Sequence, residues 1–198
     1  MKIYTYPRSR SLRVLWALEE AGATYESVRV DLFNPAADVK SPHPLGKVPF
    51  LIDGKVSVSE TLAICIYLCE KHKNRSLYPA STEEKALVNS WLSFAISDLE
   101  PPIWCLLKQV VFTPAEQRST DIMNYLRNEA GKVISQIRFK PTQAWIAGNN
   151  FTLADIFLAH TLSWAKVCGL EIAKEMDSYI LKAMSRHAFL KAQQVNNL

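Results

Sequence analysis

Two short stretches of the chain carry residue types able to hold a small peptide-like ligand. Gly46-Lys47-Val48-Pro49-Phe50-Leu51 combines a turn glycine, a cation, an X-Pro bond and the start of an apolar strand. Ser59-Glu60-Thr61 follows at a polar helix start. X-Pro bonds tolerate the cis form far better than other peptide bonds. A cis Pro49 opening a strand turns the Val48 carbonyl and amide outward, where an extended ligand can pair as an added strand. A helix N-terminus offers free N–H groups and partial positive charge, so the Thr61 amide and hydroxyl suit a carboxylate. Glu60 suits an ammonium, and Lys47 a second carboxylate. On residue types alone, simple capping by Ser59 explains the second stretch about as well, and a lone lysine is ordinary surface.

The flanking pattern supplies elements to position these groups. Lys2 to Tyr6 reads as a strand stopped by Pro7, with Tyr4 and Tyr6 on one face as core candidates. Arg8-Ser9-Arg10-Ser11 is a polar loop with helix-cap chemistry, and Leu12, Leu15, Trp16 and Leu18 keep helical spacing up to Gly22. Tyr25 to Val30 is a second strand, and the strand-helix-strand length makes the two strands parallel. Asn34-Pro35 and Pro42-His43-Pro44 bracket a loop. Val48 to Ile52 and Lys55 to Val58 form a hairpin around Asp53-Gly54. Glu60 to His72 is a helix.

Strand signals stop after Tyr78-Pro79-Ala80-Ser81. A helix starts at Ser81 and patterning continues to about Leu107, with a kink or break expected at Pro101-Pro102. Thr113-Pro114-Ala115-Glu116 reads as the start of a helix running to about Ile137. Thr152 and Asp155 form a capping box, with Phe151 and Ile156 at the staple positions. The helix through Val167 is apolar on several faces and therefore central. Helices near 171–182 and 185–195 complete the chain. The expected organisation is α/β plus all-α: a mixed four-stranded sheet domain over 1–78, a linker at 79–82, and an all-helical domain over 83–198.

Composition limits the alternatives. The 198 residues are 48% hydrophobic and 21% charged, as in a folded globular protein. The net charge of +4 is scattered. Its densest cluster, Lys71, His72, Lys73 and Arg75, reads as a solvated helix end rather than a nucleic-acid surface. No signal peptide and no bilayer-spanning run is expected. Cys65, Cys69, Cys105 and Cys168 stand in apolar helical contexts without metal-ligand spacing, so buried reduced thiols in the cytoplasm are expected. No phosphate-binding or dinucleotide glycine motif is present, and no metal is expected.

The pair Gly46-Lys47-Val48-Pro49 and Ser59-Glu60-Thr61-Leu62-Ala63-Ile64 resembles the glutathione-binding signature of cytosolic glutathione transferases, of the bacterial serine-type or beta-class-like kind. Thr61 stands where the family usually has Ser, and keeps the hydroxyl. Trp91, the Phe94 to Trp104 stretch and Phe151-Thr152-Leu153-Ala154-Asp155 resemble landmarks of the family's helical domain, so the likeness covers essentially the whole chain. It implies a thioredoxin-like domain followed by a helical one, in a homodimer. Val48, beside cis-Pro49, would pair with the cysteinyl part of glutathione. Glu60 and Thr61 would hold the γ-glutamyl end and Lys47 the glycyl carboxylate. His43 would be a helper, and Asp98 resembles an acidic residue that reaches a γ-glutamyl amine across a dimer interface.

For the thiol-activating group the resemblance offers three residues. Ser9 lies four residues before Arg13, as in serine-type members. Ser11 is the second choice, more naturally a helix cap. Arg10 falls on the cysteine position of the beta class, so cysteine chemistry is not expected, though an arginine there adds electric field. The implied reaction is attack of the glutathione thiolate on an electrophilic carbon, or reduction of a peroxide, in a cleft between the domains. A hydrophobic second substrate would rest on Trp104, Leu107 or Phe112. The rival is a non-catalytic scaffold like the gamma subunit of eukaryotic translation elongation factor 1, which the helical half also resembles. A thioredoxin-type oxidoreductase would need a Cys-x-x-Cys pair that the first loop lacks.

Overall fold

The computed structural model describes residues 1–34 and 36–197; Pro35, expected to bracket a loop, lies outside them. They form two compact units. One comprises Met1–Pro79 and the segment beginning at Ser185, the other Ala80–Met184.

The first unit is built on a four-stranded sheet of order β2-β1-β3-β4. Strand β1 (Lys2–Thr5) runs parallel to β2 (Glu26–Arg29), with helix α1 (Ser11–Glu20) as the crossover. Strand β3 (Phe50–Asp53) is antiparallel to β1 and pairs with β4 (Val56–Val58). The register Asp53 opposite Val56 makes Gly54-Lys55 the two-residue turn, one position later than the Asp53-Gly54 expectation. Gly54 supplies the positive φ (60°) that such a turn needs. Helix α2 (Thr61–Lys71) follows, and its Tyr67 hydroxyl donates to the Asp53 carboxylate at 2.7 Å. Lys71 pairs with the same carboxylate and holds it below the usual carboxylate range.

The core of this unit joins Ile3 and Leu51 of the sheet to Val14, Leu15, Trp16 and Leu18 of α1 and Ile64 and Leu68 of α2, all essentially inaccessible. Cys65 and Cys69 lie there too, and burial pushes the Cys69 thiol up to about 12. These thiols are packing groups. The cysteines are free, and Cys105 is only half-buried.

Helix α8 (His187–Asn197) packs against α1, so this unit is discontinuous in sequence. Helical periodicity alone placed 185–195 in the helical domain with 83–184. The contacts that reassign it are specific. The Arg186 guanidinium grips Glu20 through Nε (2.5 Å) and Nη2 (2.7 Å), and Lys191 pairs with Glu19 at 3.2 Å. The Phe189 and Trp16 rings meet edge to face at 4.8 Å.

The second unit is helical. Helix α3 (Thr82–Phe94), capped by Ser81, continues through a π-helical stretch (Ala95–Leu99) into α4 (Glu100–Leu107) and a second π stretch (Lys108–Phe112). Pro101-Pro102 therefore does not break the helical path. The prolines sit in the first turn of α4 after a widened turn, where missing N–H groups do little harm. Thr113-Pro114 does not start the next helix. Only a 3₁₀ turn forms (Ala115–Gln117), and α5 (Thr120–Ile134) begins under Ser119, whose hydroxyl accepts from the Ile122 N–H. Arg118 draws the intervening loop together by donating to the Thr113 and Val110 carbonyls, each at 2.9 Å.

Helix α6 (Leu153–Val167) is the central helix, buried along nearly its whole length. Its capping box forms as expected, with Phe151 and Ile156 both buried. The Asp155 carboxylate accepts from the Thr152 N–H (2.8 Å) and hydroxyl (3.0 Å), the Ile146 N–H (3.0 Å) and the hydroxyl of Tyr179 (2.7 Å) on α7 (Lys174–Met184). Among the described residues, no helix is long and apolar enough to cross a membrane.

Candidate functional site

Sheet register brings three loops of the first unit to one edge. Tyr4 opposes Phe50, so the residues after β1 lie beside those before β3. Val58 opposes Leu51, so the chain leaving β4 for α2 comes to the same end of the sheet. The Tyr6–Ser11 loop, the Lys47-Val48-Pro49 segment and the N-terminus of α2 therefore converge.

The Val48–Pro49 bond is cis, as the sequence led us to expect. Pro49 is buried and Val48 half-buried, and the pairing of β3 with β1 stops at Phe50. Lys47 is exposed at the end of a turn that is locally fixed. The Ser41 hydroxyl donates to the Lys47 carbonyl, the His43 N–H donates to Ser41 Oγ at 3.2 Å, and the Gly46 N–H donates to the His43 carbonyl at 2.8 Å. His43 Nδ1 accepts from the Leu45 N–H at 2.9 Å, and its ring meets Phe50 edge-on at 5.9 Å. His43 thus shapes the turn that presents Lys47.

At the head of α2 the expected cap moves by one residue. Glu60, not Ser59, is the N-cap, and its side chain makes no capping hydrogen bond. Its backbone has φ 68° and ψ 121°, a conformation that costs an L-residue of order 1–3 kcal/mol. The first intrahelical bond is from the Ile64 N–H to the Glu60 carbonyl, at 3.0 Å. By helix geometry the Thr61, Leu62 and Ala63 amides have no partner within the helix and point out of its end. The Glu60 side chain is exposed, whereas Thr61 is only 7% exposed.

In the loop after β1, the Ser9 hydroxyl lies 2.7 Å from the Tyr6 carbonyl, to which it donates, and 2.9 Å from Ser11 Oγ. Ser9 Oγ also accepts from the Ser11 N–H at 3.1 Å, at the start of α1. Ser9 is half-buried, but Ser11 is fully buried and its hydroxyl accepts from the Tyr6 N–H at 3.3 Å. Ser11 is thereby a support beneath Ser9. Arg10 is the N-cap of α1 and half-buried.

The remaining candidates belong to the second unit. Asp98 is exposed in the first π stretch. Trp104 meets Trp164 at 5.7 Å and Phe112 at 6.2 Å, and Phe112 is half exposed. Leu107, 5% exposed, is a core residue of this unit.

The feature missed in the sequence is Asn196 on α8. It is 4% exposed and its amide reaches the same loop; assigned from its partners, the orientation that pairs both amide atoms places the nitrogen toward the Tyr6 carbonyl (3.2 Å) and the oxygen toward the Arg8 N–H (3.3 Å). An asparagine near the end of a polar helical segment gives no sequence signal for such a contact.

Comparison with known proteins agrees with this geometry. Residues 1–70 match the family model "Glutathione S-transferase, N-terminal domain", and residues 116–191 match "Glutathione S-transferase, C-terminal domain". Glutathione S-transferase 4 of Zea mays is 31% identical over 163 residues, covering 79% of this chain and 73% of that protein. Glutathione S-transferase GST-4.5 of Xanthomonas campestris is 28% identical and covers 99% of this chain and 100% of its own. A sphingomonad glutathione S-transferase, solved in complex with glutathione, superposes over 100% of both chains with a TM-score of 0.84 and 27% identity. With its sheet order, converging loops and two matched domains, the chain belongs to the glutathione S-transferase family.

Proposed function

We propose that this chain binds glutathione at the convergent sheet edge and activates its thiol as the thiolate. The thiolate then attacks an electrophilic carbon of a small apolar substrate, or reduces a peroxide. The observation that carries this reading is the meeting of the Ser9 loop, the Val48–Pro49 segment and the α2 N-terminus. Each group matches one part of the tripeptide. The Val48 backbone pairs with the cysteinyl residue as an added strand. The Thr61 and Leu62 amides and the α2 dipole receive the γ-glutamyl carboxylate, and Glu60 holds its ammonium. Lys47 receives the glycyl carboxylate, with His43 fixing the turn. Ser9 lies where a hydroxyl can donate to sulfur, within the field of the α1 N-terminus, with Arg10 adding positive charge.

In this reading residues 1–78 hold glutathione and the helical residues from 83 supply the apolar substrate contacts, with Trp104 and Phe112 as the candidates that keep exposed surface. The protein acts in the cytoplasm, where its free cysteines remain reduced. It pairs as a homodimer, as membership of the family suggests.

The direct test is retention on immobilised glutathione, followed by turnover with a panel of electrophiles and hydroperoxides. Retention and turnover are expected. Binding without turnover on any of them would favour the scaffold reading.

Glu60 gives a sharper prediction, because strain and binding act on it in opposite directions. Glu60→Gly relieves the unfavourable φ and should stabilise the fold by about 1 kcal/mol in urea titration, after the flexibility cost of glycine. The same change removes the ammonium partner and should weaken glutathione binding about tenfold by calorimetry. Unchanged affinity would remove Glu60 from the site, and lowered stability would show that its φ stores no strain.

A further inference from the structure

We propose that Asn196, on the last turn of α8, is a positioning residue for thiol activation, holding the Tyr6–Ser9 loop from beneath while the Ser9 hydroxyl changes partner. Its role presupposes Ser9 as the donor to the thiol, the reading given above.

The Ser9 hydroxyl has a single proton. At rest that proton is directed at the Tyr6 carbonyl, 2.7 Å away, with Ser11 Oγ the alternative acceptor at 2.9 Å. Donation to a thiolate requires the proton to leave both. A carbonyl left without its donor in this half-buried part of the loop is unfavourable, and this would oppose activation. In its assigned orientation the Asn196 amide nitrogen lies 3.2 Å from the same carbonyl, a second donor beside Ser9 for an oxygen that has two lone pairs. The Tyr6 carbonyl therefore stays paired whichever way Ser9 points.

The other half of the amide acts on the loop's backbone. Its oxygen accepts from the N–H of Arg8, which has φ 56°, a left-handed conformation uncommon for a residue other than glycine. Asn196 thus bridges the residue before Pro7 and the residue after it, and fixes the turn that aims Ser9. Asn196 is itself held, being 4% exposed on a helix that Arg186, Phe189 and Lys191 fasten to α1.

The test follows the bound thiol directly and needs no second substrate. Wild type, Asn196→Leu, Ser9→Ala and the double variant are saturated with glutathione, and the ultraviolet absorbance of the thiolate is titrated against pH. Leucine keeps the branching and heavy-atom count of asparagine and removes both hydrogen bonds. Arg8 and Arg10 are unchanged throughout, so a shift reads the loop rather than a lost charge. Asn196→Leu is expected to raise the thiol pKa by about half a unit, a roughly threefold smaller thiolate fraction at pH values well below that pKa. Calorimetric glutathione affinity should change less than about twofold, since the clamp residues are untouched. In the Ser9→Ala background the same substitution should add nothing, because it acts through Ser9.

An unmoved thiol pKa in folded Asn196→Leu overturns the proposal, and so does a full shift that persists without Ser9. If Ser9→Ala alone leaves the thiol unchanged, it is the reading of Ser9 that fails. Should Asn196→Leu not fold, hydrogen exchange at the Arg8 amide of the wild type decides. Protection is expected, and exchange at the rate of an open loop would overturn the bridge.

Discussion

Replacing Ser9 by alanine is expected to raise the pKa of bound glutathione by one to two units and to cut turnover at pH 7 by about 3- to 25-fold. An ordinary thiol has a pKa of about 8.5, so only a few per cent is thiolate at pH 7. A shift of two units down requires about 2.7 kcal/mol of preferential stabilisation of the thiolate. A hydrogen bond to a charged acceptor supplies roughly 1.5–3 kcal/mol, and the α1 N-terminus adds a few tenths to one more. The hydroxyl therefore carries most of the effect. The sign fixes the pH profile. With the thiol pKa raised, the rate of Ser9→Ala should be lowest relative to wild type at acid and neutral pH. It should converge on wild type once pH exceeds the new value. The KM for glutathione should stay near wild type, because Lys47, Val48, Glu60 and Thr61 are unaffected. A parallel loss at every pH would mean that Ser9 orients the sulfur rather than shifting its ionisation. No loss at all would transfer the role to Arg10, since Ser11 is fully buried.

The second large effect concerns folding. Asp155→Ala should lower the unfolding free energy by about 3–5 kcal/mol. It strips the Ile146 and Thr152 N–H groups and the Tyr179 hydroxyl of their shared acceptor inside a fully buried site. For a protein of this size the melting temperature should fall by roughly 10–15 °C, measurable by circular dichroism. A loss under about 1 kcal/mol would show that water reaches these donors. Asp155→Asn keeps one acceptor oxygen but turns an amide toward donors, and should fall between. Burial raises the Asp155 carboxyl above its ordinary pKa, although its donors pull the other way. The folded state then holds this proton more tightly than the unfolded chain. Its contribution is greatest below the ordinary carboxylate value and declines as pH rises through the raised one. Asp155→Asn should remove that slope from the stability curve.

Much of the first unit was legible because its signals are local. The strand-helix-strand length gave the parallel β1–β2 pair, and Asp53-Gly54 gave the hairpin to within one residue. The cis Val48–Pro49 bond was legible for the same reason. Ser59 was misleading as a cap, because capping preference ranks serine above glutamate, whereas here the unusual φ of Glu60 decides where α2 begins. Pro101-Pro102 misled in the opposite sense. A proline pair signals a break unless the preceding turn is widened, and a π-helical turn leaves no mark in residue types. Thr113-Pro114 misled as a helix start, because Arg118 ties Thr113 into a loop and α5 begins later, under Ser119. Asn196 and the docking of α8 were invisible, since both depend on contacts between residues nearly a whole chain apart.

That long-range docking has a bearing on how the protein is made. During synthesis the sheet and α1 emerge first, yet the face of α1 that receives Trp16's partner ring, and the Glu20 carboxylate, wait for residues beyond 184. The helical unit, continuous from Ala80 to Met184, has its full complement of residues before the first unit does. The loop that bears Ser9 receives Asn196 only after the whole helical unit has been synthesised. A nascent chain halted before α8 would already contain every residue proposed to hold glutathione, but not the asparagine proposed to brace Ser9.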